Sequence, residues 1–263
     1  MATPYSRDSR ETAEQVAAAD VLLTRLRTRF DAVADSAFPA MAPEPGSPME
    51  RIDQVSQDFK VSEVIQFQLG AAVDNVRSVF RYLEEVGELP MVALNSMIRS
   101  AVESTSYGLW ILKGNGNQQK VSKALRLTRQ DHESLATMLR SLGGPTAGVD
   151  TAVAALRAEH DRLTGVESAD FEQEVQATNT VTAADTVVGP RPGLFTGLQV
   201  WRATSGLAHA SAPAMVALLE RDADGMRTPR LTFLAAFLQV AIENLEVLHT
   251  RYVLLATAPT PRR

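Results

Sequence analysis

Residues Ile52–Leu83 read IDQVSQDFKVSEVIQFQLGAAVDNVRSVFRYL. Ile52, Phe59, Gln66, Val73 and Phe80 recur every seven residues. Val55, Ser62, Leu69, Val76 and Leu83 recur at the same interval, offset by three. Spacings of three and four gather such positions into one stripe along a helix. The pattern predicts a helix from about Pro48 to Val86, roughly 50 Å long if unbroken, with Gly70 as a candidate bend.

The stretch before it repeats the device. Val16, Leu23, Phe30 and Ala37 recur at seven, and Ala19, Leu26 and Val33 fill the intermediate positions. Asp8 with Glu11 three residues on has capping-box spacing and predicts the start; Phe38-Pro39 predicts the end. Between the two patterns, Pro39, Pro43, Pro45, Gly46 and Pro48 exclude a helix. Helices 9–37 and 50–86 are therefore expected to lie antiparallel along the heptad seam, making residues 1–88 a long helix pair.

Working downstream, Pro90 suits the first turn of a third helix, about 90–113, which stops at Gly114-Asn115-Gly116-Asn117. It is apolar on more than one face, the pattern of a helix central to a bundle. A fourth helix, about 118–142, stops at Gly143-Gly144-Pro145, and a fifth covers about 149–163. Residues 165–195 are irregular in pattern, and Thr178–Val188 reads equally as helix or extended chain. A sixth helix is expected over about 194–210. Residues 214–220 are open between helix and strand, and Asp222-Ala223-Asp224-Gly225 reads as a turn. Thr228-Pro229 fits the N-cap and first position of a last helix reaching about Ala258. The fold class is all-α: a helical bundle with two long N-terminal heptad-patterned helices, and 1–263 as a single domain.

Composition sets the outer limits. The 263 residues are 45% hydrophobic and 22% charged, an ordinary globular balance that excludes a mainly disordered chain. There is no cysteine, so disulfides, thiolate metal sites and cysteine nucleophiles are excluded. A net charge of −5 argues against a broad DNA-binding surface. No long apolar run follows Met1, and the most apolar segment, Leu231–Ala258, carries Glu243, Glu246, His249 and Arg251. Such charges are costly at a bilayer centre, so a buried core helix and a cytoplasmic protein are expected, with no membrane partner.

No P-loop, dinucleotide-binding glycine pattern, nucleophile elbow or paired-histidine zinc helix occurs. Any site must then assemble between helices. Glu246-x-x-His249 is one half of a di-iron pattern whose other half is missing, so neither a metal nor a cofactor is expected. The third helix carries Arg99 and Glu103, an i,i+4 pair, with Asn95 and Ser106 on the same stripe. These read as a structural ion pair or as the wall of a polar pocket. The sixth helix places Arg202 and His209 seven apart, on one face, with Ser205 between them and Gly206 leaving room for another backbone or a ligand. Leu198, Trp201, Ser205 and Ala208 are expected to face the core. Lys120, Lys123, Arg126 and Arg129, with no acid until Asp131, form the best local basic patch, read as a solvated face or a contact for phosphate or an acidic partner.

Arg99-x-x-x-Glu103 on one helix, with Trp201-Arg202-x-x-Ser205-x-x-x-His209 on a later one, resembles bacterial helical-bundle proteins similar to the HEPN superfamily. The resemblance covers roughly residues 90–255. The superfamily motif is an Arg, four to six residues, then a His; Arg202 and His209 fit with six between, and Arg126 and His132 with five. The resemblance implies a homodimer in which the pair meets its mate across a cleft and cleaves RNA without metal, with Arg202 taking phosphate charge and His209 the 2′-hydroxyl proton. It also implies a toxin–antitoxin or phage-defence setting. The sequence departs at Ala203, where active members carry a polar residue, which leaves an inactive relative that binds RNA or a protein partner as the sister expectation. Two other classes stand beside it: a non-catalytic scaffold dimerising through the N-terminal helices, and a bundle enzyme holding a small ligand or metal among Glu103, His209 and His249.

Overall fold

The structure, a computed structural model, describes residues 11–37, 42–86, 89–90, 92–221 and 227–259. The helix start expected at Asp8, the stop at Phe38-Pro39, the turn at 222–225 and the tail 260–263 lie outside them. Ten α-helices build the described fold: α1 (Ala13–Ala37), α2 (Pro48–Asp53), α3 (Val61–Glu85), α4 (Ala93–Leu112), α5 (Gly116–Ser141), α6 (Ala147–Asp161), α7 (Ala177–Val188), α8 (Gly197–Ala208), α9 (Ala212–Leu218) and α10 (Leu231–Ala256). A 3-10 turn covers Ser168–Glu172, and the strands β1 (Leu219–Arg221) and β2 (Arg227–Pro229) form one short antiparallel hairpin. The protein is an all-α helical bundle.

The long helix expected over 48–86 is broken. Asp53 accepts from both the backbone N–H (3.0 Å) and the hydroxyl (2.5 Å) of Ser62, and Ser56 accepts from the Phe59 N–H at 3.1 Å. Short polar side chains that bind nearby backbone offer it an alternative to the helix. Neither Gly nor Pro marks this break, so periodicity runs straight through it. Beyond it, α3 passes through Gly70 without interruption.

α4 is central. It packs against α3, α7, α8 and α10, and Ile98, Ala101, Val102, Leu109 and Ile111 are fully buried. Gly108 lets α10 approach: a Cβ there would lie 2.7 Å from the Leu248 side chain. α1 meets α3 through Phe30 and Phe80, whose ring centroids are 5.6 Å apart, and through Arg27–Glu84. Its longer contact is with α10, tied by Arg29 to Glu246 and by Ser36 to His249.

α10 does not open at Thr228-Pro229. Those residues belong to β2, and the helix begins at Leu231. Its first N–H groups go instead to the Glu11 carboxylate, which accepts from Leu231 N (2.9 Å) and Thr232 N (2.8 Å). A carboxylate at a helix N-terminus satisfies orphan donors and matches the dipole. Glu11 thus caps α10 rather than α1, whose start is held by a reciprocal bond pair between Thr12 and Gln15. α10 is the one helix among the described residues that is long and apolar enough to cross a membrane; much of it is packed within the bundle. The irregular stretch before α8 resolves into the 3-10 turn and α7, where Thr180, Thr182 and Thr186 each return a hydroxyl to a preceding carbonyl.

Candidate functional site on helices α4 and α8

α8 begins with a full capping box. Thr196 accepts from Gln199 N at 3.1 Å, and Gln199 returns its amide oxygen to Thr196 N at 2.8 Å. Asp185 on α7 takes the next donors, Gly197 N at 2.7 Å and Leu198 N at 3.0 Å. The buried face is Gly197, Val200, Thr204 and Leu207. Trp201, Ser205 and Ala208, expected in the core, are half-buried on its flank, as is Leu198. Thr204 can occupy the core because its hydroxyl donates to the Val200 carbonyl at 2.7 Å.

Trp201 reaches from that flank to α4. Its indole N–H donates to Glu103 at 2.9 Å, and the Arg99 guanidinium lies 5.5 Å from the ring centroid. Arg99 and Glu103 pair at 3.3 Å, and the Tyr107 hydroxyl donates to Glu103 at 3.1 Å. Burial and the adjacent Glu103 charge push the Tyr107 phenol above its ordinary range, so it stays a donor. One carboxylate therefore binds an indole, a guanidinium and a phenol, all half-buried, and docks α8 on α4. Every acceptor this polar group offers to the interior has a partner; the Arg99 Nε is buried without one.

Arg202 and His209 are not part of that cluster. Both are exposed on the outer face of α8, and among the described residues neither has a side-chain hydrogen bond or ion pair. Helix rise puts them about 10 Å apart along the axis. No hydrogen bond joins the half-buried Ser205 hydroxyl to Glu103. The room beside Gly206 is filled from within: an added Cβ would lie 2.8 Å from the Ala214 Cβ, so the glycine serves the packing of α9 rather than a ligand.

His209 is the C-cap of α8, and its neighbour is unusual. Ala210 has φ +50°, the only non-glycine with positive φ among the described residues. Ala210 N bonds the Leu207 carbonyl at 2.9 Å and Ser211 N bonds the Gly206 carbonyl at 2.8 Å. That is a Schellman ending with alanine where glycine is favoured. The left-handed conformation costs alanine about 1–2 kcal/mol, against a flexibility cost of about 0.5–1 kcal/mol for glycine. Ala210→Gly should therefore raise stability by about 0.5–1 kcal/mol, read by chemical denaturation at unchanged m-value; a decrease would show that the turn is not strained.

The basic patch lies elsewhere, at the α4–α5 corner. Lys120 donates to the Gly114 carbonyl at 2.6 Å, Lys123 to the Trp110 carbonyl at 3.0 Å, and Arg126 to the Gln173 carbonyl at 3.3 Å. Cations on the last carbonyls of α4 complement its dipole.

Glu103, His209 and His249 do not converge. Glu103 is committed to Arg99, Tyr107 and Trp201, while His249 sits against Ser36 on α1. Glu243 and Glu246 are bound to Arg191 and Arg29. No group of three or more metal-binding side chains occurs among the described residues. Comparison of the chain with protein families, with curated proteins and with solved structures finds no match.

Proposed function

We propose that this chain is a HEPN-like helical-bundle protein that acts on RNA through the outer face of α8, as a homodimer. The observation that carries the reading is the contrast along that helix. Its inner flank is locked to α4 by Trp201, whereas Arg202 and His209 face outward with no internal partner and a strained residue follows the histidine. Strained backbone persists where surrounding structure over-determines it, and it gathers at functional sites. An antiparallel pairing of two α8 helices about a two-fold axis near Ser205 would bring each Arg202 beside the partner's His209, closing the 10 Å gap. The pair then divides the work: the guanidinium holds phosphate oxygens through its fork, and the imidazole moves the 2′-hydroxyl proton. Both roles need only protein groups.

The test is direct. Purified wild-type protein is incubated with structured and single-stranded RNA, with and without added divalent metal, and its mass in solution is measured. Metal-independent cleavage by a dimer supports the reading. Intact RNA under all conditions sinks the nuclease and leaves a binding relative.

A non-catalytic scaffold is the second reading, favoured by one feature. Leu135, Met138 and Leu142 are exposed at helical spacing on the outer end of α5. The N-terminal heptad seam, by contrast, is spent inside the chain: Leu26, Phe30, Leu69 and Phe80 are buried.

A further inference from the structure

Four cations crowd the corner where α4 ends and α5 begins: Lys113 on the exposed rim, then Lys120, Lys123 and Arg126. Lys123 Nζ lies 5.1 Å and the Arg126 guanidinium carbon 5.6 Å from the centroid of the half-buried Trp110 ring. The indole fixes both by cation–π contact. No ion pair neutralises any of the four among the described residues; the carboxylate whose charge acts on Arg126 is Asp170, in the 3-10 turn. Their hydrogen bonds run to neutral oxygens: Lys113 to the Thr186 hydroxyl (2.6 Å), the others to carbonyls. An ammonium carries three donors, so Lys113 and Lys123 each keep N–H groups for a further acceptor. The Arg126 Nε is buried and bonded to nothing.

We propose that this corner is a binding site for a phosphate oxyanion, held by Lys113, Lys123 and Arg126 with Trp110 as the platform that positions the cations. Carbonyls at the end of α4 and the Trp110 ring hold Lys120, Lys123 and Arg126 in place, but the mutual repulsion of the cations remains, and a bound anion would relieve it. The electrostatics agree. Burial, then Lys113, Arg126 and Lys120 in turn, lower Lys123 to about 8. Burial also lowers Lys120. No carboxylate raises Lys123. Because its folded value lies below the unfolded one, the charged form costs stability below about pH 8, and that cost fades as pH rises towards 10.5. A bound dianion removes it by restoring the charge. A phosphate monoester such as adenosine 5′-monophosphate is already dianionic above pH 7, so a loss of its affinity between pH 7 and 9 belongs to the protein.

The shared chemistry is the phosphate group, and its carrier is set by three probes: inorganic phosphate, adenosine 5′-monophosphate against adenosine, and a single-stranded RNA 12-mer made non-cleavable by 2′-O-methylation. Titration calorimetry of the full chain at pH 7 should show binding of at least one phosphate probe and none of adenosine. Affinity should fall several-fold at pH 9. Lys113→Ala, at an exposed position, should weaken binding about threefold, and Lys113→Ala with Lys123→Gln at least tenfold, both with unchanged circular dichroism. Saturation by the mononucleotide or by inorganic phosphate marks a small-ligand site; binding of the RNA alone marks a nucleic-acid track. No binding of any probe, or binding indifferent to both variants, overturns the proposal. Probe binding that falls in the Lys113 and Lys123 variants belongs to this corner whatever the α8 face does, so failure here and failure of the α8 reading are separate results.

Discussion

Replacing Arg191 by methionine should destabilise the bundle by about 3–5 kcal/mol, the cost of removing one partner of a buried pair and leaving its charge behind. Arg191 sits in the loop Gly189–Gly193 with its side chain only 6% exposed. It donates to Asp185 at 2.9 Å, to Glu243 at 3.0 Å, and to the Asn244 amide oxygen. Gln239 supports Glu243 at 2.9 Å. Two carboxylates, each about four-fifths covered, depend on this one guanidinium. Methionine fills much of the volume, so the loss isolates charge and hydrogen bonding. The midpoint of thermal unfolding should fall on the order of 10 °C for a domain of this size. Arg191→Met combined with Glu243→Gln should recover part of the loss, because one uncompensated charge goes with it. A single-variant loss below about 1 kcal/mol would mean that water reaches the pair. The consequence reaches the candidate site, since Asp185 also holds the first backbone donors of α8.

The helical class was legible because it rests on local repetition. Leu26, Phe30, Leu69, Val76 and Phe80 fall on the heptads and are buried. Gly114, Gly143 and Gly144 stand where helices stop. The differences have two causes, partners distant in sequence and local polar bonds that compete with the helix. Glu11 caps a helix that begins at Leu231, and nothing local to Thr228-Pro229 reveals that the cap comes from elsewhere. Asp53 and Ser56 break a helix that periodicity alone continues: their bonds to Ser62 and Phe59 are local turn chemistry that hydrophobic spacing does not register, and Ser56 adds a distant bond to Glu159.

The site divides the same way. Arg99 and Glu103 are readable as a pair from an interval of four. The third member, Trp201, comes from α8, and the apolar spacing placed it in the core; an indole that is half-buried with its N–H on a carboxylate satisfies both tendencies at once. Arg191 escaped notice because Gly-Pro-Arg-Pro-Gly reads as loop, and a loop arginine reads as solvated. The signal available was the pair of prolines, which stiffen the chain on either side of it.

His209→Ala carries the other large effect. If the α8 face cleaves RNA, loss of the imidazole should lower the rate by about 10²–10⁴-fold, the range of a positioned acid–base group. The substitution should leave the bundle folded, because His209 is exposed and its role in the α8 ending is played by its backbone N–H, which bonds the Ser205 carbonyl at 3.0 Å. Arg202→Lys should also lose activity while keeping its charge, since an ammonium cannot offer two parallel donors to a phosphate. Exposed, unpaired surface residues usually change stability by no more than about 0.5 kcal/mol, so unfolding cannot explain a loss of this size. The decisive comparison mixes the two variants. If each active centre takes its arginine from one subunit and its histidine from the other across a two-fold axis, a heterodimer of one Arg202→Lys and one His209→Ala subunit holds one intact centre and one doubly damaged one. Mixing two inactive preparations should then restore up to a quarter of the wild-type rate. Centres built within single subunits would gain nothing on mixing, which separates a shared cleft from an active monomer and would overturn the two-fold pairing of α8.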